Sequence, residues 1–324
     1  MKSKTTEYPV RQQSDLLSFL IGSVGTTRTN AKRWLQHRLV SVNGVVVSQF
    51  DEVLSAGDKV SVRNGQGAVE LHHPKLRLVY EDDSLIVVEK RNGLLSVPSS
   101  AGSSETTAYS ILRAYVKKQN ARNGVFVVHR LDRETSGLLV FAKSAELQHY
   151  MRDYWREIVT QRTYVAVAEG VFDKKEGQIR SWFTEDKRNA MVYSSPVDDG
   201  GDLAVTNYKV LKESSSVPLP FRAKGGLSLV ELHLETGRTN QIRVHLASIG
   251  HPVVGDRKYG HGNDPDQTKA LQQRKTDRLC LHARVLEFIH PVTEQTLHFE
   301  TPVPKSFTSL VTAHNNEQDC KTKI

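Results

Sequence analysis

Between the apolar runs Phe126-Val127-Val128 and Leu138-Leu139-Val140-Phe141 the chain places nine residues, His129-Arg130-Leu131-Asp132-Arg133-Glu134-Thr135-Ser136-Gly137. Short apolar runs bounded by polar turn residues read as buried strands. The stretch is therefore a tight polar turn between two strands. It holds the carboxylate of Asp132 at a strand end beside basic residues. A carboxylate fixed there is a candidate nucleophile or acid/base group. Spacing alone leaves a second reading open, a turn aspartate bonding its own backbone.

Composition sets the partner class. The 324 residues suffice for one large domain and a small one, and 38% hydrophobic with 25% charged residues fits a soluble globular protein. Lys and Arg number 44 against 36 Asp and Glu, for a net charge of +8 and a pI near 9.3. Such a field attracts polyanions, with nucleic acid ahead of an anionic membrane surface. The two cysteines, Cys280 and Cys320, support neither a disulfide framework nor a metal site. The 13 histidines are scattered without zinc-ligand spacing. Met1 to Tyr8 lacks the apolar core of a signal peptide, and no apolar run approaches the roughly 20 residues of a membrane span. The expectation is a cytoplasmic protein with no metal, no cofactor and no membrane partner.

Residues 1–13 read as a flexible polar leader. From Leu16 to Phe50 there is no acidic residue, while Arg28, Lys32, Arg33 and Arg38 are present. Asp15 can cap a first helix over Leu16 to Ile21, and Thr29 a second over Asn30 to His37. Asn43-Gly44 between apolar runs is a strong hairpin signal, and Gly57-Asp58 leads into a last strand. Residues 14–62 thus form a small α+β unit, with 63–75 as a polar linker. Beyond it, Leu78 to Lys90 reads as strand, turn, strand. Thr107 or a neighbour starts a helix with Ile111, Leu112, Tyr115 and Val116 on one side. Ser144 caps another helix, and Gln161 to Gly170 is a strand. In Leu229 to Leu234, Val230, Leu232 and Leu234 face one way and Glu231 and His233 the other. No regular βαβ alternation or repeat appears. The fold class is α+β, with a mixed, mainly antiparallel sheet in a large domain over 76–303, then a polar tail over 304–324.

A second dense motif is Glu235-Thr236-Gly237-Arg238-Thr239-Asn240-Gln241-Ile242-Arg243. Thr239 is a good N-cap. Ile242, Leu246 and Ile249 form an apolar helical face, and Gly250 with Pro252 marks the stop. Arg243 falls in the first turn, where a cation opposes the helix dipole, so it requires an acidic partner.

His-Arg-Leu-Asp, two residues, then Thr-Ser-Gly-Leu-Leu-Val resembles, without a gap, the signature of the RluA-type pseudouridine synthases, a family acting on large-subunit ribosomal and related RNA. Gly237 to Arg243 resembles the family's Gly-Arg-Thr-His-Gln-Ile-Arg segment, with Asn240 in place of the His. Lys90 to Leu95, His251 to Gly260 and Leu281-His282-Ala283 are similar to further family segments. Residues 14–62 resemble the small RNA-binding fold named after ribosomal protein S-four, which places its basic second helix on RNA. The resemblance implies isomerisation of uridine to pseudouridine in structured RNA without cofactor or metal. It implies Asp132 as the catalytic aspartate, Arg243 pairing with it as a fork, and Tyr164 stacking on the target base and accepting a proton. A flipped base leaves a gap that Arg130 can fill. His129, Leu281, Arg28, Lys32 and Arg33 are the further residues assigned to substrate.

The expected substrate is ribosomal RNA of the large subunit, with tRNA as the alternative, and the expected state a monomer. Two other classes compete. A ribosome-assembly factor would keep the fold without the chemistry. A glycosidic-bond hydrolase would need a second carboxylate, for which only Glu134 lies close in sequence.

Overall fold

The structure is a computed structural model that describes residues 4–64, 71–100, 103–215, 225–261, 264–273 and 278–312. The chain divides into two compact units, residues 1–70 with 114–123, and residues 71–113 with 124–324.

The first unit contains β1 (Lys4–Pro9), β2 (Ser14–Asp15), α1 (Leu16–Gly22), α2 (Arg28–Gln36), β3 (Val40–Val42), β4 (Val45–Val46), β5 (Val53–Leu54) and β6 (Lys59–Asn64). One sheet runs in the order β1-β6-β3-β4. The segment expected to be a flexible leader contains a strand, antiparallel to β6 from Lys4 opposite Asn64 to Pro9 opposite Lys59. Strand pairing satisfies its backbone groups despite its polar composition. Asp15 caps α1 as expected, accepting the Ser18 amide at 2.8 Å. The α2 cap is Thr27 rather than Thr29; its hydroxyl accepts the Asn30 amide at 3.2 Å and its carbonyl the Ala31 amide. Both residues suit the role by type, and the first turn decides between them. Asn43 and Gly44 sit at φ 51° and 84° between paired Val42 and Val45, the left-handed pair a two-residue hairpin needs. Leu16, Leu20, Leu35, Val40, Leu54 and Val60 fill the core of this unit.

The second unit contains β7 (Leu76–Glu81), β8 (Leu85–Lys90), α3 (Ala108–Gln119, shared with the first), β9 (Phe126–Val127), β10 (Ser136–Ala142), α4 (Ala145–Asp153), α5 (Trp155–Ile158), β11 (Val159–Glu169), β12 (Glu176–Asp186), β13 (Met191–Ser195), β14 (Asp202–Ser214), β15 (Leu227–Leu234), α6 (Gln241–Ser248), α7 (Pro265–Gln273), β16 (Leu281–Ile289), β17 (Thr296–Glu300) and α8 (Lys305–Leu310). Among the described residues its sheet has eleven strands, in the order β13-β12-β14-β15-β11-β16-β10-β8-β7, with β17 on β16 and β9 on β10. Every described pairing between these strands is antiparallel except β10 with β16, where Ser136 and Gly137 lie opposite His282 and Ala283. This is the mixed, mainly antiparallel sheet expected of the α+β class. Thr107 starts α3, its hydroxyl accepting the Ser110 amide at 3.0 Å, and Ser144 caps α4.

The parallel crossing explains Gly137. Its φ is +119°, and a Cβ there would lie 2.1 Å from the Ala283 carbonyl oxygen. Only glycine permits both the angle and the approach. Towards the end of the chain, Phe307 and Leu310 of α8 are buried in the main core with Val167, Leu229, Val230 and Leu232. The polar tail expected from position 304 therefore begins only after α8, because this short helix carries apolar side chains that the core takes up. Residues 313–324 lie outside the described residues.

Candidate active site

The Asp132 turn has its backbone pinned by one bond of its own and by groups from other segments. The Ser96 hydroxyl donates to the Leu131 carbonyl at 2.7 Å and accepts the Leu131 amide at 3.1 Å. The Thr135 amide donates to the Asp132 carbonyl at 3.2 Å, and the Gly93 amide to the Arg133 carbonyl at 2.8 Å. The fully buried Lys90 ammonium also donates to Arg133 O at 3.1 Å and to Leu94 O at 2.8 Å. Burial pushes Lys90 down to about 7, opposed by the charges of Glu134 and Asp132. At the far end of the turn, Ser136 Oγ lies 2.7 Å from His282 Nδ1 and accepts from Arg278 at 2.7 Å. With the backbone so held, the Asp132 side chain is left 30% exposed, anchored but open to a substrate.

Arg243 faces this carboxylate from α6, with Nη1 3.5 Å from Asp132 Oδ2. The expected fork is made elsewhere. Arg243 Nε and Nη2 donate to the two oxygens of Asp256 at 2.7 and 2.8 Å. The Asp256 side chain is wholly buried. Burial would raise its carboxyl; the Arg243 bonds and the amides of Lys258 and Tyr259 outweigh that and hold it below the ordinary value. The fork thus fixes the guanidinium plane and leaves Nη1 for Asp132 and for Asn240 Oδ1, at 3.1 Å. Asn240 donates in turn to the Tyr259 hydroxyl at 3.2 Å. It occupies the α6 N-cap at φ 54°, without a side-chain cap bond, so Thr239 does not cap this helix. Asparagine tolerates the left-handed region better than most residues. Ile242 and Leu246 are buried as expected, but Ile249 is 38% exposed, beyond the last helical turn.

Tyr164 lies half-buried on β11. Burial raises its phenol above the ordinary value; Arg162 opposes this and the Asp132 charge adds to it. Arg130 is exposed and makes no ion pair among the described residues. His129 is engaged by the scaffold: Nε2 accepts the Val140 amide at 3.1 Å, and its ring packs on Trp155 at 4.8 Å. Burial pushes it down to about 3, so the ring is neutral. Leu281 is buried in the main core. Arg28 and Lys32 are exposed on α2 of the first unit; Arg33 is on the same helix, its side chain outside the described residues. Among the described residues no cluster of three or more His, Cys, Asp or Glu is placed to hold a metal ion, and no helix is long and apolar enough to cross a membrane.

Sequence reasoning missed Ser96, Asp256 and Arg278. Asp256 lay within a segment matched to the family, yet nothing local marks it as Arg243's partner. Ser96 and Arg278 carried no signal, since each acts through a contact distant in sequence.

Residues 84–248 match the family described as RNA pseudouridylate synthase. The chain is 34% identical over 317 residues to an uncharacterized RNA pseudouridine synthase of Bacillus subtilis, covering 95% of this chain and 97% of that protein. It is 32% identical to the ribosomal large subunit pseudouridine synthase D of Pasteurella multocida, covering 89% and 86%, and 35% identical to the protein of that name from Neisseria meningitidis, covering 88% and 74%. Among solved structures, human RNA pseudouridylate synthase domain containing 1 matches with a TM-score of 0.55 at 24% identity, over 72% of this chain and 85% of that one, a likeness of fold.

Proposed function

Because the chain belongs to the RNA pseudouridylate synthase family, and so is an isomerase acting on RNA, we propose that its substrate is 23S ribosomal RNA of the large subunit and that Asp132 is the reacting carboxylate. The relatives named for the large ribosomal subunit support the substrate. The observation that carries the catalytic assignment is the placement of Asp132: a part-exposed carboxylate on a turn whose backbone is bonded on both sides, facing an arginine that a second carboxylate holds.

The reaction breaks the bond from uracil N1 to the ribose, turns the base and joins carbon 5 to the same ribose carbon; the proton on carbon 5 leaves and N1 gains one. The base must leave the stack, at a cost of a few kcal/mol, which phosphate contacts by the basic surface offset. Asp132 acts as nucleophile or base. Tyr164, its phenol kept protonated by burial, supplies a ring face to the base, and Arg130 reaches into the space the base vacates. Residues 14–62 act as an S-four-like RNA-binding domain through Arg28, Lys32 and Arg33. The protein works in the cytoplasm as a monomer.

The test is pseudouridine mapping of total RNA from cells with and without this gene, complemented by wild type or Asp132→Asn. One or a few large-subunit rRNA sites are expected to disappear and to return only with wild type. Lost sites in tRNA alone would overturn the substrate, and rescue by Asp132→Asn would overturn the catalytic assignment.

A further inference from the structure

Arg162 is a half-buried cation on β11, two residues before Tyr164 and on the same face of the strand. No carboxylate among the described residues forms an ion pair with it. Its hydrogen bonds run to the carbonyls of Leu234 and Thr236, both at 3.4 Å, long for a guanidinium donor. Its guanidinium carbon lies 6.0 Å from the centre of the Trp155 ring. Burial draws it below its ordinary value, Tyr164 opposes this, and Arg156 adds a like charge. Packing on Trp155 does not require a charge, and a desolvated cation without an anion is costly. Two other half-buried guanidinium groups of the site are more closely bonded: Arg243 has Asp256 at 2.7 Å, and Arg278 donates to Ser136 at 2.7 Å and to Leu281 O at 3.1 Å.

Gly237 shows that the seat is shaped for this side chain. A Cβ there would stand 3.0 Å from Arg162 Nη1, so the absence of a side chain lets the guanidinium lie against the loop between β15 and α6. That loop leads directly into the helix carrying Arg243.

We propose that Arg162 binds a phosphodiester group of the RNA beside the target uridine, the RNA supplying the anion that no described residue provides. This rests on RNA being the substrate. The guanidinium is held by Trp155 and the two carbonyls, and the bound phosphate completes its charge-assisted bonds.

The experiment measures binding of an unmodified large-subunit rRNA transcript to the full chain over a range of salt, with single-turnover pseudouridine formation alongside. Arg162→Gln is expected to weaken binding roughly 10- to 100-fold, the worth of one charged hydrogen bond. It should also lower the slope of log affinity against log salt by about 1, the signature of one lost phosphate contact. Arg162→Lys should recover most of the slope. Should Arg162→Gln fail to fold, as its melting would show, Gly237→Ala takes its place and is expected to weaken binding and lower the slope by displacing the guanidinium. Slower turnover with an unchanged salt slope in the folded variant would overturn the inference and leave a packing role on Trp155. A wild-type chain that forms no pseudouridine in the transcript would instead strike the rRNA reading, and the inference would fall with it if this chain also bound the transcript without salt dependence.

Discussion

At the scale of single residues, the site depends on side chains that hold Asp132 and Arg243 in place. Replacing Ser96 by Ala leaves the Leu131 amide and carbonyl without their partner. The expected cost is about 1–3 kcal/mol of stability, with slower turnover as the turn loosens. Urea denaturation and single-turnover rates check it; an unchanged rate would mean the other bonds hold the turn alone. Asp256→Asn is the second prediction. It removes the charge that fixes Arg243, and displacement of the guanidinium from Asp132 should lower the rate about 100-fold while RNA binding stays near wild type. A binding loss equal to the rate loss would count against this. Asp132 and Arg243 were legible in the sequence because each sits in a dense local motif. Their supports were not, because Ser96 lies 35 residues from Leu131 and nothing near it announces the pairing.

At the scale of elements, β10 is where chemistry and fold meet. It follows the Asp132 turn directly and is buried along its whole length. It pairs antiparallel with β8 from Gly137 opposite Lys90 to Ala142 opposite Leu85, and parallel with β16 at Ser136 and Gly137. Gly137→Ala would drive a Cβ into the Ala283 backbone and force a strained φ. The expected loss is roughly 3 kcal/mol or more, seen as a lower melting temperature or failure to accumulate as folded protein; a variant as stable as wild type would show that β16 moves aside easily. Apolar runs and turn residues made β10, β11 and β15 readable. The start of α6 was not: Thr239 has the cap chemistry, but the chain enters the helix through a left-handed Asn240, a choice made by the Arg243 and Tyr259 contacts.

For the whole molecule, buried histidines set the response to acid. His245 and His282 are each at most 2% exposed, and burial pushes both down to about 4. Between about 6.5 and 4 the unfolded chain therefore binds more protons than the folded one, and stability rises with pH across that window. It is complete above about pH 6.5 and is lost as the pH falls toward 4. Each shift corresponds to about 3 kcal/mol. Denaturation midpoints should fall between neutral pH and the lower end of this window, and His245→Gln should flatten the fall; a pH-independent midpoint would contradict it. The basic net charge was read from composition at once, whereas the acid response depended on which of the 13 histidines the core encloses.

By itself the sequence determined the α+β class, the polar turn with Asp132 and the second motif with Arg243, because turn chemistry, apolar periodicity and dense motifs are local. Only the tertiary structure decided that Asp256, and not Asp132, takes Arg243's fork, that Ser96 and Lys90 hold the turn, and that Arg162 forms no ion pair with a carboxylate among the described residues. Those outcomes depend on distance and burial between segments far apart along the chain, and local pattern carries neither.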